Sequence, residues 1–184
     1  AQGNDYVAGA LWHTGTGFNA TTLTNTTVSA NTATSYGAGS HVQSGIMAGF
    51  GDVNLNGSDS NMQLRNSIIA GNAGGTDFGV AGSHETMTSC VAGTNANVPP
   101  LNAGSGNQFT DVTGLGPLQG NGGATQTMAL LLGSVAIDAG SNPAPSIYDQ
   151  RGAGFPRVSG AAIDIGFVEG QGERIFANGF EPGP

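Results

Sequence analysis

The chain has 184 residues, of which 38% are hydrophobic and only 9% are charged, and its formal net charge is -8 without a single lysine. This balance argues against nucleic acid as a partner, because nucleic-acid binding depends on Lys and Arg at the phosphates. It argues equally against binding to an anionic membrane surface. No stretch approaches the roughly 18 apolar residues of a membrane-spanning helix. The sequence therefore predicts no transmembrane segment, and its small residues favour tight turns and stacked strands over long helices.

Two segments repeat one pattern in the first half of the chain. Leu23–Asn31 and Leu64–Asn72 both have the pattern Leu-x-Asn-(Ser/Thr)-x-(Val/Ile)-x-(Ala/Gly)-Asn, with an offset of 41 residues. Halving this offset predicts an intervening coil near position 45, where Ile46 and Met47 supply an apolar pair, and Met87–Gly93 fits a fourth coil. No such coil can bury its own apolar face, so stacking must make the core. The pattern predicts an all-β, right-handed parallel β-helix with about 20 residues per coil.

Asparagines recur at corresponding positions of the two repeats. Asn25 corresponds to Asn66, and Asn31 corresponds to Asn72. Asn at a sharp bend can donate a hydrogen bond to the equivalent residue of the next coil, so we expect two Asn ladders. We expect Asn25 to point inward. The single cysteine, Cys90, lies in an apolar run and is predicted to be a buried small hydrophobe.

The last third of the chain has a different character. We predict β-helix coils in residues 1–103, an irregular C-terminal cap in residues 104–170, and a tail in residues 171–184 that could serve sorting or anchoring. Three of the four arginines fall in this third, near Asp138, Asp149, Asp164 and Glu169. These charges predict a cap held by Arg–carboxylate pairs.

Several motifs of this region are those of a known family. The chain reads LGPLQGNGGATQTMALLLGSVAIDAG from Leu115, then DQRG from Asp149 and DIGFVE from Asp164. It resembles the choice-of-anchor Q family of bacterial surface proteins, in which LGPLxDNGGPTxTHALLPGSPAIDAG, DQRG and DIGAFE occur in this order. Gly120 and Met128 depart from the family's Asp and His. The resemblance implies a parallel β-helix with Pmp-like repeats and a secreted or cell-surface location. The tail from Ile175 to Glu181 resembles a short C-terminal segment of secreted proteins in some Gram-negative bacteria. The family resemblance implies no defined reaction.

One loop resembles a calcium-binding loop. It opens with the D-x-N-x-N-G pattern of an EF-hand, although Gln63 replaces the bidentate Glu at position twelve. The candidate calcium ligands are Asp52, Asn54, Asn56 and Asp59. An Asn- and Gly-rich turn without a metal explains the same residues, so the two readings stay open.

Catalysis is the alternative to a structural role, because many β-helices act on polysaccharides. Such lyases use a basic residue beside acidic calcium ligands, and such hydrolases use clustered Asp residues. This chain has no lysine and no Asp-Asp pair, and only Asp138, Asp149 and Asp164 could converge. We therefore expect a structural or adhesive module, and a carbohydrate-binding or carbohydrate-active β-helix, or a subunit of an extracellular assembly, is the alternative. The aromatic residues that could contact a sugar are Trp12, Tyr36 and Phe50.

The opening residues offer no obvious cap for a β-helix. A β-helix that stops in mid-coil exposes unpaired backbone groups above an apolar core. We therefore expect the chain to be the C-terminal part of a larger precursor. Residues near Tyr6, Leu11 and Trp12 are predicted to contact the missing N-terminal part or another protein chain.

Overall fold

The fold contains strands but no helix in the part of the chain that the structure describes. A computed structural model describes residues 6–13, 20–34, 41–48, 61–80, 86–93, 104–141 and 145–170. The thirteen strands in these ranges are β1 Tyr6–Ala8, β2 Leu11–His13, β3 Ala20–Thr24, β4 Thr27–Val28, β5 His41–Ala48, β6 Asn61–Arg65, β7 Ile68–Ile69, β8 Thr76–Val80, β9 Thr86–Thr88, β10 Val91–Ala92, β11 Gln108–Phe109, β12 Leu115–Gln119 and β13 Thr127–Leu130.

Three parallel sheets organise the first eleven strands. In the first sheet β5 pairs with β1, β2 and β8, the second has the order β3-β6-β9, and the third has the order β4-β7-β10-β11. Every pair in these sheets is parallel. The chain visits the sheets in the same order in three successive passes, β1–β4, β5–β7 and β8–β10, and β11 belongs to a fourth pass. The predicted all-β class with parallel sheets of short strands is therefore confirmed.

The spacing between the first two passes is about twice the predicted 20 residues, whereas the two later spacings are close to the prediction. Leu23 pairs directly with Leu64, and equivalent residues are 41 apart between the first two passes. The spacing falls to 23 residues and then to 17. The predicted intervening coil near position 45 was wrong, because β5 belongs to the same pass as β6 and lies in a different sheet. The two copies of the Leu-x-Asn pattern lie in adjacent passes that pair directly. Halving their offset of 41 residues therefore had no physical basis, because no pass lies between them.

The bends between the second and third sheets form a column of left-handed residues. Asn25, Asn66 and Ser89 have φ values of 53°, 50° and 50°. This conformation is costly for most residues with a side chain, and Asn tolerates it better than most. Asn66 Nδ2 donates to Asn25 Oδ1 at 2.9 Å. The first predicted ladder is confirmed at this bend.

The second predicted ladder is also present, one turn further along each pass. Asn31 Nδ2 donates to Asn72 Oδ1 at 2.9 Å, and the backbone N–H of Asn31 donates to the same oxygen at 3.0 Å. Asn72 Nδ2 in turn donates to the Val28 carbonyl at 3.2 Å. The two ladders fix the register of the first pass on the second at both ends of β4.

Two apolar cores lie on opposite faces of the third sheet. Ile69 faces an inner core between the three sheets, whereas its neighbour Ile68 faces an outer core, as alternation along a strand requires. The inner core contains Ile46, Met62, Leu64, Ile69, Phe78, Met87, Cys90 and Ala92. The outer core contains Ile68, Ala70, Val91, Leu130, Ala136 and Ile165.

The described residues of 111–170, here called the C-terminal segment, cover the outer face of the third sheet. They include the antiparallel pair of β12 and β13. They pack along the side of the passes, and Gly166 N–H donates to the Asn66 carbonyl of the second pass at 2.9 Å. The fourth pass also continues to Thr110, whose N–H donates to the Ala92 carbonyl, so the coils extend past residue 103. Asn25 was expected to point inward. Its side chain is buried, and its Oδ1 accepts a hydrogen bond from Arg157 of the C-terminal segment.

Candidate functional site

Most of the residues predicted to bind ligands lie outside the described part of the chain. Trp12 belongs to β2 and pairs with Met47, but its side chain is not among those described. The described residues contain no group of three or more His, Cys, Asp or Glu side chains placed to hold a metal ion. Tyr36, Phe50 and the four candidate calcium ligands Asp52, Asn54, Asn56 and Asp59 lie outside the described residues.

The first buried ion pair joins Arg151 to Asp149. Arg151 Nη2 lies 2.5 Å from Asp149 Oδ2, and both side chains are buried. The same oxygen accepts the backbone N–H of Glu169 at 2.9 Å, and Arg151 Nη2 also donates to the Glu169 carbonyl at 2.8 Å. The guanidinium lies 4.2 Å from the centre of the Phe155 ring, within the range of a cation–π contact. The DQRG motif thus fixes the end of the DIGFVE motif.

A second buried pair joins the same region to the first Asn ladder. Arg157 Nη1 donates to Glu169 Oε1, and both side chains are 1% exposed. Arg157 Nη2 donates to the carbonyl of Gly166 at 2.7 Å and to Asn25 Oδ1 at 3.3 Å. Arg157 therefore connects Glu169 of the C-terminal segment to the bend of the first pass. The predicted Arg–carboxylate pairs are confirmed.

The carboxylates of this cluster are hydrogen-bonded within the chain. Asp164 Oδ1 accepts the backbone N–H of Asp138 at 2.7 Å, and Asp164 Oδ2 accepts that of Gly170 at 2.5 Å. Asp149, Asp164 and Glu169 are all at most 4% exposed. A carboxylate that is enclosed and already hydrogen-bonded has no face for a substrate. Only Asp138 is exposed, and it too accepts a backbone N–H, from Ala162 at 2.9 Å.

Burial changes the acidity of this cluster. Burial raises the pKa of Glu169 to about 7, and the neighbouring Asp164 charge adds to the rise while Arg157 opposes it. Burial also raises the pKa of Asp164, against two backbone hydrogen bonds from Gly170 and Asp138 that lower it. The cluster therefore takes up a proton more readily than free carboxylates would. Its proton binding is coupled to the attachment of the C-terminal segment.

An open groove lies where the third sheet ends at β4. Its volume is about 450 Å³, and its two walls come from the first pass and from the C-terminal segment. Amides and hydroxyls alternate with apolar side chains, and none of the lining residues is charged. The groove is lined by Ala10, Thr27, Val28, Ser29, Ala30, Asn31, Leu118, Gln126, Thr127, Met128, Gln150 and Val168.

The predicted burial of Cys90 is confirmed. The thiol is 0% exposed within the inner core, and burial raises its pKa to about 11. Its sulfur accepts the backbone N–H of Ser67 at 3.4 Å, which places the two residues one above the other at the same bend. Cys90 is a packing residue, and its thiol is poorly suited to nucleophilic chemistry.

The groove was not predicted from the sequence. Its walls come from segments that are far apart in the sequence, and no local motif marks Gln126 or Gln150 as neighbours of β4. The only signal was the expected open edge of the first coil. The described residues contain no helix that is long and apolar enough to cross a membrane.

Comparisons with known proteins give no family or fold to which the chain can be assigned. No protein-family model matches the chain, no curated protein matches its sequence, and no solved structure matches its fold. The resemblance to the choice-of-anchor Q family therefore stays a prediction that rests on the three motifs.

Proposed function

We propose that this chain is a right-handed parallel β-helix that serves as a structural or adhesive module outside a bacterial cell. One observation carries the proposal: successive passes of the chain enter the three parallel sheets in the same order, and each pass pairs in register with the next. Each pass places its apolar residue over that of the next, as in the column Leu23, Leu64 and Met87. A stacked fold of this kind presents long side faces, and these can contact a partner without a catalytic pocket. The motif resemblance supports export to the cell surface.

The buried charges support a structural role over a catalytic one. The carboxylates of Asp149, Asp164 and Glu169 are bonded within the C-terminal segment. That segment is joined to the passes by Arg157 and by the Asp164 carbonyl. General acid–base hydrolysis of a glycoside needs two carboxyl groups on either side of the sugar, about 5 to 10 Å apart. In the described residues the cluster instead directs its oxygens to backbone N–H groups and to Arg151 and Arg157.

Screening against polysaccharides distinguishes the proposed module from a carbohydrate-active β-helix. We expect the chain to release no product from pectins, alginates or glucans, whether or not it binds them. The variant that tests catalysis is Asp138→Asn, which alters the exposed carboxylate of the buried cluster. Turnover that Asp138→Asn abolishes while the circular dichroism spectrum is unchanged would overturn the proposal.

A further inference from the structure

The two ends of the third sheet are complementary. Its strand order is β4-β7-β10-β11, and all four strands run in the same direction. Within the described residues, β4 has a strand partner on one side only, and so has β11. Parallel strands can extend a sheet at either edge if the new strand keeps the direction and the side-chain alternation. The free edge of β11 therefore has the orientation that the free edge of β4 requires.

The hydrogen bonds show which backbone groups face these edges. Ile68 N–H donates to Thr26 O and Ala70 N–H donates to Val28 O, so the Thr27 carbonyl between them points away from β7. At the other end, the N–H groups of Gln108 and Thr110 donate to the third pass at 2.7 and 2.8 Å.

The residue between that pair of donors is Phe109. By the same alternation its N–H points away from β10, toward the free edge of β11. Phe109 is thus the donor that corresponds to the acceptor at Thr27. If the pairing of the sheet simply continued, Gln108 would stand over Thr27 and Phe109 over Val28.

The side chains at the two edges also match. The column through the inner face of the third sheet runs Val28, Ile69, Ala92 and Phe109. Phe109 ends the column with 52% of its surface exposed, whereas Val28 begins it in the groove of about 450 Å³. The groove lining is uncharged, and so are Gln108, Phe109 and Thr110. Docking an uncharged strand in this groove therefore avoids the cost of burying an unpaired charge.

We propose that the free edge of β11 in one copy of this chain docks on the free edge of β4 in a second copy, with Phe109 seated over Val28 in the groove. The Phe109 N–H then donates to the Thr27 carbonyl of the neighbouring copy. This contact is head-to-tail, and repeating it gives an open rod in place of a closed dimer. The inference rests on the strand register and holds whether or not the module is adhesive.

Sedimentation and light scattering test the contact on the whole 184-residue chain. The weight-average mass should exceed the monomer mass of 18.2 kDa and rise with concentration from the micromolar to the millimolar range. Salt should strengthen association, because each copy carries a formal charge of -8 and screening weakens the repulsion. A wild-type chain that stays monomeric across this range would overturn the proposal.

Two matched variants locate the contact. Phe109→Asp should return the mass to that of a monomer. Val158→Asp makes the same change in charge at a side chain of equal exposure, 53%, outside the groove and the strand column, and should associate like the wild type. Equal loss of association in both variants would show that added charge alone is responsible and would contradict the proposed contact.

A mixing experiment tests the head-to-tail geometry. Thr27→Pro keeps the Thr27 carbonyl but places a proline ring, without an N–H, on the free edge of β4, which obstructs pairing with an incoming strand. It leaves the bonds from Thr26 and Val28 to β7 in place. Phe109→Asp and Thr27→Pro should each be monomeric alone and should form one-to-one dimers when mixed, because each retains the edge that the other lacks. A mixture of folded variants that stays monomeric would refute this geometry. If Thr27→Pro does not fold, the Phe109→Asp and Val158→Asp pair still decides the question.

Discussion

Asn66 connects the passes to the C-terminal segment, and its removal should unfold the protein at a much lower denaturant concentration. Asn66 Nδ2 donates to Asn25 Oδ1 at 2.9 Å and to the Asp164 carbonyl at 3.0 Å, with a longer contact of 3.3 Å to the Gly166 carbonyl. Its Oδ1 accepts the N–H of Ser141 at 2.9 Å. The residue is fully buried. Asn66→Ala would therefore remove the acceptor of the Ser141 N–H. It would also leave Arg157 Nη2 as the remaining donor to Asn25 Oδ1 and to the carbonyls of Asp164 and Gly166.

The expected cost can be estimated from these contacts. Each net hydrogen bond contributes about 1 kcal/mol, and a buried group left unsatisfied costs about 1 to 3 kcal/mol. Alanine at a φ of 50° adds roughly 1 kcal/mol of backbone strain. We expect Asn66→Ala to lower the free energy of unfolding by about 4 kcal/mol. Asn66→Gly should cost about 1 kcal/mol less, because glycine adopts this conformation without strain.

Guanidinium denaturation followed by far-ultraviolet circular dichroism measures these differences. The control is Asn31→Ala, which removes a rung of the second ladder. Asn31 is only half-buried, so water replaces part of what it loses, and the cost should be at most about 1 kcal/mol. Equal costs for Asn66→Ala and Asn31→Ala would refute the claim that the C-terminal segment is anchored at the first bend.

Three further predictions concern the cores and the charged cluster. Ile68→Ala and Ile69→Ala should each lower the free energy of unfolding by about 2 to 5 kcal/mol, because both side chains are at most 1% exposed and each leaves a cavity. A negligible loss for Ile68→Ala in thermal denaturation would argue against the outer core. Because the pKa of Glu169 is raised from 4.5 to about 7, the native state binds the proton more tightly. Its contribution to stability is complete below about pH 4.5 and is lost as the pH rises through about 7. The melting temperature of the wild type should therefore fall over this range, the fall should be smaller in Glu169→Gln, and an unchanged fall would contradict the assignment. The thiol of Cys90 should react with a thiol reagent only as fast as the protein unfolds, so rapid labelling of the native chain would show that it is not buried.

The sequence was sufficient for the parts of the fold that repeat locally. The pattern around Asn25 and Asn66 predicted parallel stacking and two Asn ladders because a polar residue at a tight bend has few other partners. Three of the four arginines lie in the last third of the chain, close in sequence to Asp149 and Glu169, and this proximity predicted the ion pairs. Both signals depend on short-range chemistry that any stacked arrangement would preserve.

What could not be predicted depends on contacts between distant segments. The spacing of the passes varies from 41 to 17 residues, because loops of any length can join strands that keep the same register. Ile68 and Ile69 are adjacent apolar residues, and the sequence does not say that a distant segment covers one of them. The C-terminal segment was expected at the end of the coils, and its position along the side follows only from its packing against Ile68 and Asn66.

Disulfide cross-linking tests the strand register most directly. Thr22 and Gln63 are directly paired in β3 and β6, and paired Cα atoms of neighbouring strands lie about 5 Å apart, within the range that a disulfide can bridge. In a Cys90→Ser background, Thr22→Cys with Gln63→Cys should cross-link rapidly and completely in the native monomer. Thr22→Cys with Val42→Cys, the pair that a 20-residue repeat would bring together, should not. Preferential cross-linking between positions 22 and 42 would contradict the register of the passes on which the account is built.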